Sequence, residues 1–340
     1  MTLRRRSILA RAVVLGAAFA ATMAVAAAPA LAADPSYQGW FIALDAAMTQ
    51  PTGLDQHYAT SYDPTTGGQE LLLLDNDAGF SFQAGIGYKW GELGGLALSY
   101  WSFDNDDTTS AVENTRYIYP TVFGGYATNN GVYYAGTYGL GYNGAFPVNY
   151  SATSSVKASA IDLEYSRPMQ AGERVTINWI AGLRSVTFEE DLGFSGDDSA
   201  GYYYIQTKHI ESDAYGIKVG ALFDFGLTRH FSLQGMMAFS FLQGSTDAVT
   251  TQTALGGSDS LTVSNDNIRG EIRDYDLRAM WSWKSVDAYF GYGGSTWDGL
   301  VADPTGEMVN LSATKSDGND RSSIGFNSFH AGVVFRFGGS

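Results

Sequence analysis

The sequence predicts an all-β fold, a transmembrane antiparallel up-and-down β-barrel, and three observations predict it. Apolar residues recur at every second position in segment after segment, the period of a strand with one apolar and one polar face. Short turns alternate with long polar loops, the asymmetry of barrels with short periplasmic turns and long extracellular loops. The chain also opens with an export signal.

Residues 1–32 carry Arg4, Arg5 and Arg6, then an alanine-rich apolar run, then Ala30-Leu31-Ala32. That pattern predicts a cleaved secretory signal peptide, with residues 33–340 forming a single outer-membrane barrel domain. Without its four arginines the mature chain keeps 16 basic side chains against 35 acidic ones, a net charge of about −19. Such acidity excludes nucleic acid as a partner, since that binding rests on cationic contacts to phosphate. The absence of cysteine excludes thiol catalysis and disulfide staples. The 41 glycines and 14% aromatic residues favour strands over helices.

In FSFQAGIGYKW (80–90), Phe80, Phe82, Ala84, Ile86, Tyr88 and Trp90 share one face, with Ser81, Gln83 and Lys89 on the other. The alternation recurs over 175–184, 215–225, 231–241, 275–283 and 286–293, and in the closing GFNSFHAGVVFRFGGS. Short turns at 91–95, 167–173, 227–230 and 284–285 alternate with polar stretches near 49–79, 104–155, 193–208, 243–268 and 298–323, read as loops. Strands beginning near 38, 80, 96, 156, 174, 211, 231, 270, 286 and 324 make ten. A hairpin around Asn130-Gly131 brings the expected total to twelve, with ten as the alternative. Pro120 in its first arm weighs against a central strand.

Trp40, Trp90, Phe231, Trp281, Trp283 and Phe337 lie beside the periplasmic ends and predict an aromatic girdle. Tyr100, Tyr215 and Trp297 are candidates for the second girdle. On the polar face, Lys89, Asp162, Glu164, Arg184, Lys218, Asp224, Asp274, Asp276, Arg278 and Arg336 are expected to line the interior. So many charges fit a hydrated path, with opposed rows that select by charge and size. The competing expectation is a salt-bridge network that fills the lumen and leaves the extracellular loops to bind a surface or an envelope partner.

The histidines are His57, His209, His230 and His330. His330 and Ser328 share a face, but at i and i+2 they stand too far apart for a nucleophile and its base, so no catalytic residue is assigned and no enzyme is expected. No cofactor or metal is assigned either. The acidic runs at Asp75-Asn76-Asp77, Asp104–Asp107, Asp197-Asp198 and Asp317–Asp320 lack the spacing of a calcium loop and read as solvated loop tips, with divalent bridging to lipopolysaccharide as the other option.

IDLEYSRPM (161–169), AGLRSVTFEEDL (181–192), SDAYGIKVGALFDFGLTRHFSLQGMMAFSFLQGS (212–245), RDYDLRAMWSW and VDAYFGYGGSTWDG together resemble the Legionella-type major outer membrane protein family over roughly residues 155–337. The resemblance implies a porin-like, pore-forming barrel in the bacterial outer membrane. The final strand, ending in Phe337 before a three-residue tail, resembles the signal read by the outer-membrane assembly machinery. Expected partners are therefore that machinery, the outer-membrane lipid and lipopolysaccharide, with a homo-oligomer left open. Passive diffusion of ions and small hydrophilic solutes, with weak cation preference from the acidic mouth, is the expected activity.

Overall fold

A computed structural model describes residues 37–54, 56–74, 77–120, 128–129, 132–133, 140–141, 144–170, 172, 174–254, 257–302 and 321–338. The predicted signal peptide, Asp75-Asn76, Asn130-Gly131 and the acidic run at 317–320 lie outside them. Ten strands close a barrel among the described residues: β1 (Gln38–Thr52), β4 (Gly79–Trp90), β5 (Gly95–Glu113), β9 (Val148–Gln170), β10 (Val175–Asp198), β11 (Tyr203–Gly226), β12 (Phe231–Ala254), β13 (Gly257–Trp283), β14 (Val286–Ala302) and β15 (Arg321–Phe337). Every neighbouring pair is antiparallel, and β1 closes the ring on β15 with Trp40 opposite Phe337. The closed ring leaves no barrel strand of the described residues with an unpaired edge, as a barrel in lipid requires.

The expected total of twelve strands is corrected to ten. The segment that would have supplied two more instead contributes β6 (Tyr117–Pro120) to a three-stranded sheet with β2 (His57–Tyr62) and β3 (Gln69–Leu73), and its Asn130-Gly131 signal is flanked by the pair β7 (Thr128–Asn129) and β8 (Val132–Tyr133). Pro120 has no amide hydrogen to donate, and it falls at the end of β6 rather than inside a barrel strand.

The expected loops at 193–208 and 243–268 are corrected as well. There β10 and β11 remain paired from Val175 opposite Phe225 to Asp197 opposite Tyr203, and β12 and β13 remain paired out to Ala254 opposite Gly257. These strands run to 24 and 27 residues, whereas about 9–11 residues suffice to cross a bilayer. The remainder stands above the membrane as a tower. The acidic runs at 104–107 and 197–198 are strand residues within it, and Asp198 is a buried carboxylate that accepts amide hydrogens from Ala200, Tyr202 and Gly141.

One inversion organises the molecule. In the lower part the outward residues are apolar, such as Trp179 and Leu183 on β10, Val219 and Ile217 on β11, and Leu277 on β13, all well exposed. Farther up the same strands the outward residues become Thr187, Glu189 and Asp191, then Asp213 and Glu211, then Arg273 and Glu271. The interior switches the other way, from Arg184, Lys218 and Arg278 to Phe188, Ile210 and Ile272, all buried. Lipid surrounds the lower part and water the upper, so each wall places its apolar face where burial removes it from water.

Candidate functional site

The barrel interior is built in layers because every second side chain on each wall points inward. At mid-depth, Arg184 on β10 holds Asp162 on β9 through Nε at 2.6 Å and Asp274 on β13 through Nη1 at 2.7 Å. Lys218 on β11 reaches Asp162 at 2.7 Å, Glu164 at 2.5 Å and Asp274 at 3.8 Å. Several of these bonds join strands that are not neighbours, so they cross the lumen rather than run along its wall. A second knot lies beside the first. The His330 ring on β15 stands 2.9 Å from Asp45 on β1 and 3.3 Å from Asp276 on β13, and Arg278 holds Asp276 at 2.6 Å.

Close packing around these knots needs glycine. At Gly291 a β-carbon would fall 2.6 Å from His330 Nε2, and at Gly332 it would strike the Tyr289 ring that packs against His330. The Arg278 guanidinium lies 5.0 Å from the centre of that same ring. A cavity of about 170 Å³ borders both knots, and Met236, Trp297 and Phe326 help to close it.

Above the ionic layer the lumen is filled by Phe103, Phe188, Trp297 and Phe326, with Trp101 packed against them. Trp101 meets Phe326 edge-on at 5.4 Å, and Trp297 meets Phe326 at 5.4 Å. Higher still, Lys208 and Glu190, 3.1 Å apart, form a buried ion pair among the inward residues of the tower. Tyr58 on β2 stacks on Phe194 near the top, where burial raises its hydroxyl pKa to about 12. Below the ionic layer, Gln234 and Ser232 donate to Asp224, and Arg336 holds Asp287 at 2.6 Å.

All ten predicted interior residues occupy the inward phase. Asp162, Glu164, Arg184, Lys218 and Asp274 form the first knot, while Asp276 and Arg278 belong to the second. Lys89, Asp224 and Arg336 sit below, toward the periplasmic end. Sequence reasoning missed Asp45 and Asp287 as partners, although their parity with inward Ala43 and Tyr289 marks both positions. Ser328 bonds to Thr49 at 2.7 Å rather than to His330.

In the girdle, Trp40, Trp90, Trp281, Trp283 and Phe337 are exposed on the outer face at the periplasmic end, and Phe231 packs edge-on against Trp281. Tyr100 and Tyr215 are exposed at the other rim, but Trp297 is corrected: it is 2% exposed and points inward, its indole donating to Ser295. It shares the parity of inward Asp287 and Tyr289 on β14, which already assigned it to the lumen.

These features define an outer-membrane β-barrel with an ion-paired, aromatic-capped interior. The chain belongs to the family of the Legionella pneumophila major outer membrane protein precursor, whose model matches residues 35–273. The match thus includes the first half of the chain, which carried no family resemblance by motif, and it assigns the protein to the bacterial outer membrane. Nothing among curated proteins matches the chain. The similar solved structures are remote. The Escherichia coli outer membrane protease OmpT is 9% identical over 89% of this chain and 97% of its own, with a TM-score of 0.46. A major outer membrane protein of Thermus thermophilus is 14% identical over 88% and 99%, TM-score 0.36. The toluene transporter TodX of P. putida is 9% identical over 88% and 90%, TM-score 0.25.

Proposed function

We propose that this protein is a closed outer-membrane barrel whose working surface is the tower above the membrane, where its extracellular hairpins meet a host surface or an envelope partner. The observation that carries the reading is the pair of side-chain layers stacked across the lumen. The charges from β9, β10, β11 and β13 are knotted at mid-depth, and a layer of inward aromatic rings lies directly above them. An ion crossing this barrel would have to part buried pairs and then enter an apolar layer, each step costing several kcal/mol.

The porin-like reading survives as a gated channel, and one observation favours it. The cavity is bordered by Asp45, Asp162, Glu164, Asp274 and Asp276 against Arg184, Lys218, Arg278 and His330. Carboxylates outnumber the permanent cations there, so an opened knot would pass small hydrophilic cations ahead of anions.

Single-channel recording of the refolded, heat-modifiable protein in a planar bilayer separates the two. Silence in the wild type and in Asp162→Asn, together with partner binding lost on trimming the tip at 199–202, supports the closed barrel. Discrete steady steps in the wild type overturn it. Silence that gives way to cation-selective steps in Asp162→Asn establishes the gated channel instead.

A further inference from the structure

At the base of the tower, the outer face carries a cluster that neither the lumen nor the hairpin tips explain. β10 and β11 pair Asp191 with His209 and Glu189 with Glu211. Ligand atoms of Glu189, Asp191 and His209 lie within 4.8 Å of one another, and His209 Nδ1 stands 2.8 Å from Asp191 Oδ1. All three side chains are about half exposed, on the side away from the lumen.

The strand register adds a second observation. Glu211 also faces Asp247 on β12, so Glu189, Glu211 and Asp247 stand in one row across three paired strands. Like charges directly opposite one another destabilise a sheet. Lys157 meets this row from its far side, on β9, 3.8 Å from Glu189. The row is short of positive charge, and it stands a few residues above the last outward apolar side chains, Leu183 on β10 and Phe241 on β12.

We propose that Glu189, Asp191 and His209 form a binding site for a divalent transition-metal ion of the zinc class. Imidazole beside carboxylates suits such an ion, whereas calcium and magnesium take oxygen ligands. Zinc ligands sit at about 2.0–2.2 Å from the metal, which separates them by about 3.4 Å in a tetrahedron. Small side-chain rotations close the present spread, and exposed side chains make them freely. The strands fix the backbone positions, so the site is organised before the ion arrives. Three protein ligands leave a fourth position for water or for a phosphate oxygen of the surrounding outer-leaflet lipid.

The test is calorimetric titration of untagged, EDTA-treated, refolded barrel in detergent with zinc chloride, and in parallel with magnesium chloride. A saturable one-to-one zinc site that weakens at least tenfold in His209→Ala and in Glu189→Gln is the expected result. His209→Gln, with the same loss expected, replaces the alanine variant if that one fails to show heat-modifiable folding. The proposal is overturned by no saturable zinc binding, or by zinc binding in the folded His209 variants as tight as in the wild type. Magnesium binding equal to zinc and indifferent to His209 also overturns it, because the surface is then an acidic patch in which His209 and Asp191 form an ordinary ion pair.

Discussion

The lower barrel and the tower are made from the same strands with opposite polarity. On β13, Leu277 meets lipid while Arg278 beside it is sealed inside; farther along, Arg273 meets water while Ile272 is sealed inside. The period of two continues through the change, and only the medium outside is exchanged. An apolar side chain outside the lower barrel is solvated by acyl chains, and the same side chain outside the tower would be solvated by water. The interior follows whatever the outer face leaves it: ion pairs predominate below and apolar packing above, with Lys208 and Glu190 as a buried pair within the tower. A strand can therefore cross from membrane to water without a break in its hydrogen-bond ladder.

The largest effect is expected where a charge is stranded inside the lower barrel. Arg184→Met leaves Asp162 and Asp274 with Lys218 as their remaining knot partner and should cost about 3–5 kcal/mol in urea unfolding monitored by heat modifiability. Phe188→Ala attacks the tower instead, opening a cavity in its aromatic layer at a cost of about 3–4 kcal/mol. Hydrogen exchange should then rise in the upper halves of β10 and β11 while the lower halves stay protected, and uniform exchange would mean that the two parts unfold as one.

A paired swap on one strand tests the inversion directly. Leu277→Arg places a charge in the acyl layer and should cost about 2–4 kcal/mol. Arg273→Leu, above the waterline, should change stability by less than about 0.5 kcal/mol, since it removes only exposed ion pairs. Equal effects at the two positions would put the membrane boundary elsewhere. A change of the same small size is expected from Thr207→Val, which removes an exposed cross-strand hydroxyl contact to Thr251 and should cost less than about 0.5 kcal/mol.

The same inversion decides what the sequence revealed. Residues 80–90 and 215–225 were legible because their outward faces are uniformly apolar against an interior of polar or small residues broken only by Leu222, and the short periplasmic turns follow from that reading. The tower was not, because a sign change in the middle of a strand resembles the end of the strand. The stretch 193–208, with Ser195, Asp197 and Asp198 in it, read as a loop, although Val186, Phe188, Leu192 and Phe194 carry the period into it on the inward face. The interior residues were legible by parity one at a time. Their pairing was not, because whether Arg184 meets Asp162 and Asp274 or faces water depends on how far apart the walls stand, and strand number sets that distance.

The outward apolar run also acts as a draught mark. On β13 it extends from Trp283 to Tyr275, which at about 3.4 Å per residue and a tilt near 40° spans about 21 Å of membrane normal. The tryptophans at the lower edge of the run, and outward Ser185 and Thr187 above Leu183 on β10, bracket the depth at which the barrel floats. The stretch of β12 beyond it, from Gln243 to Ala254, then carries Ala254 about 30 Å above the apolar layer. Ala254 and Gly257, the last described pair of that hairpin, therefore stand at a height set by the apolar run below them.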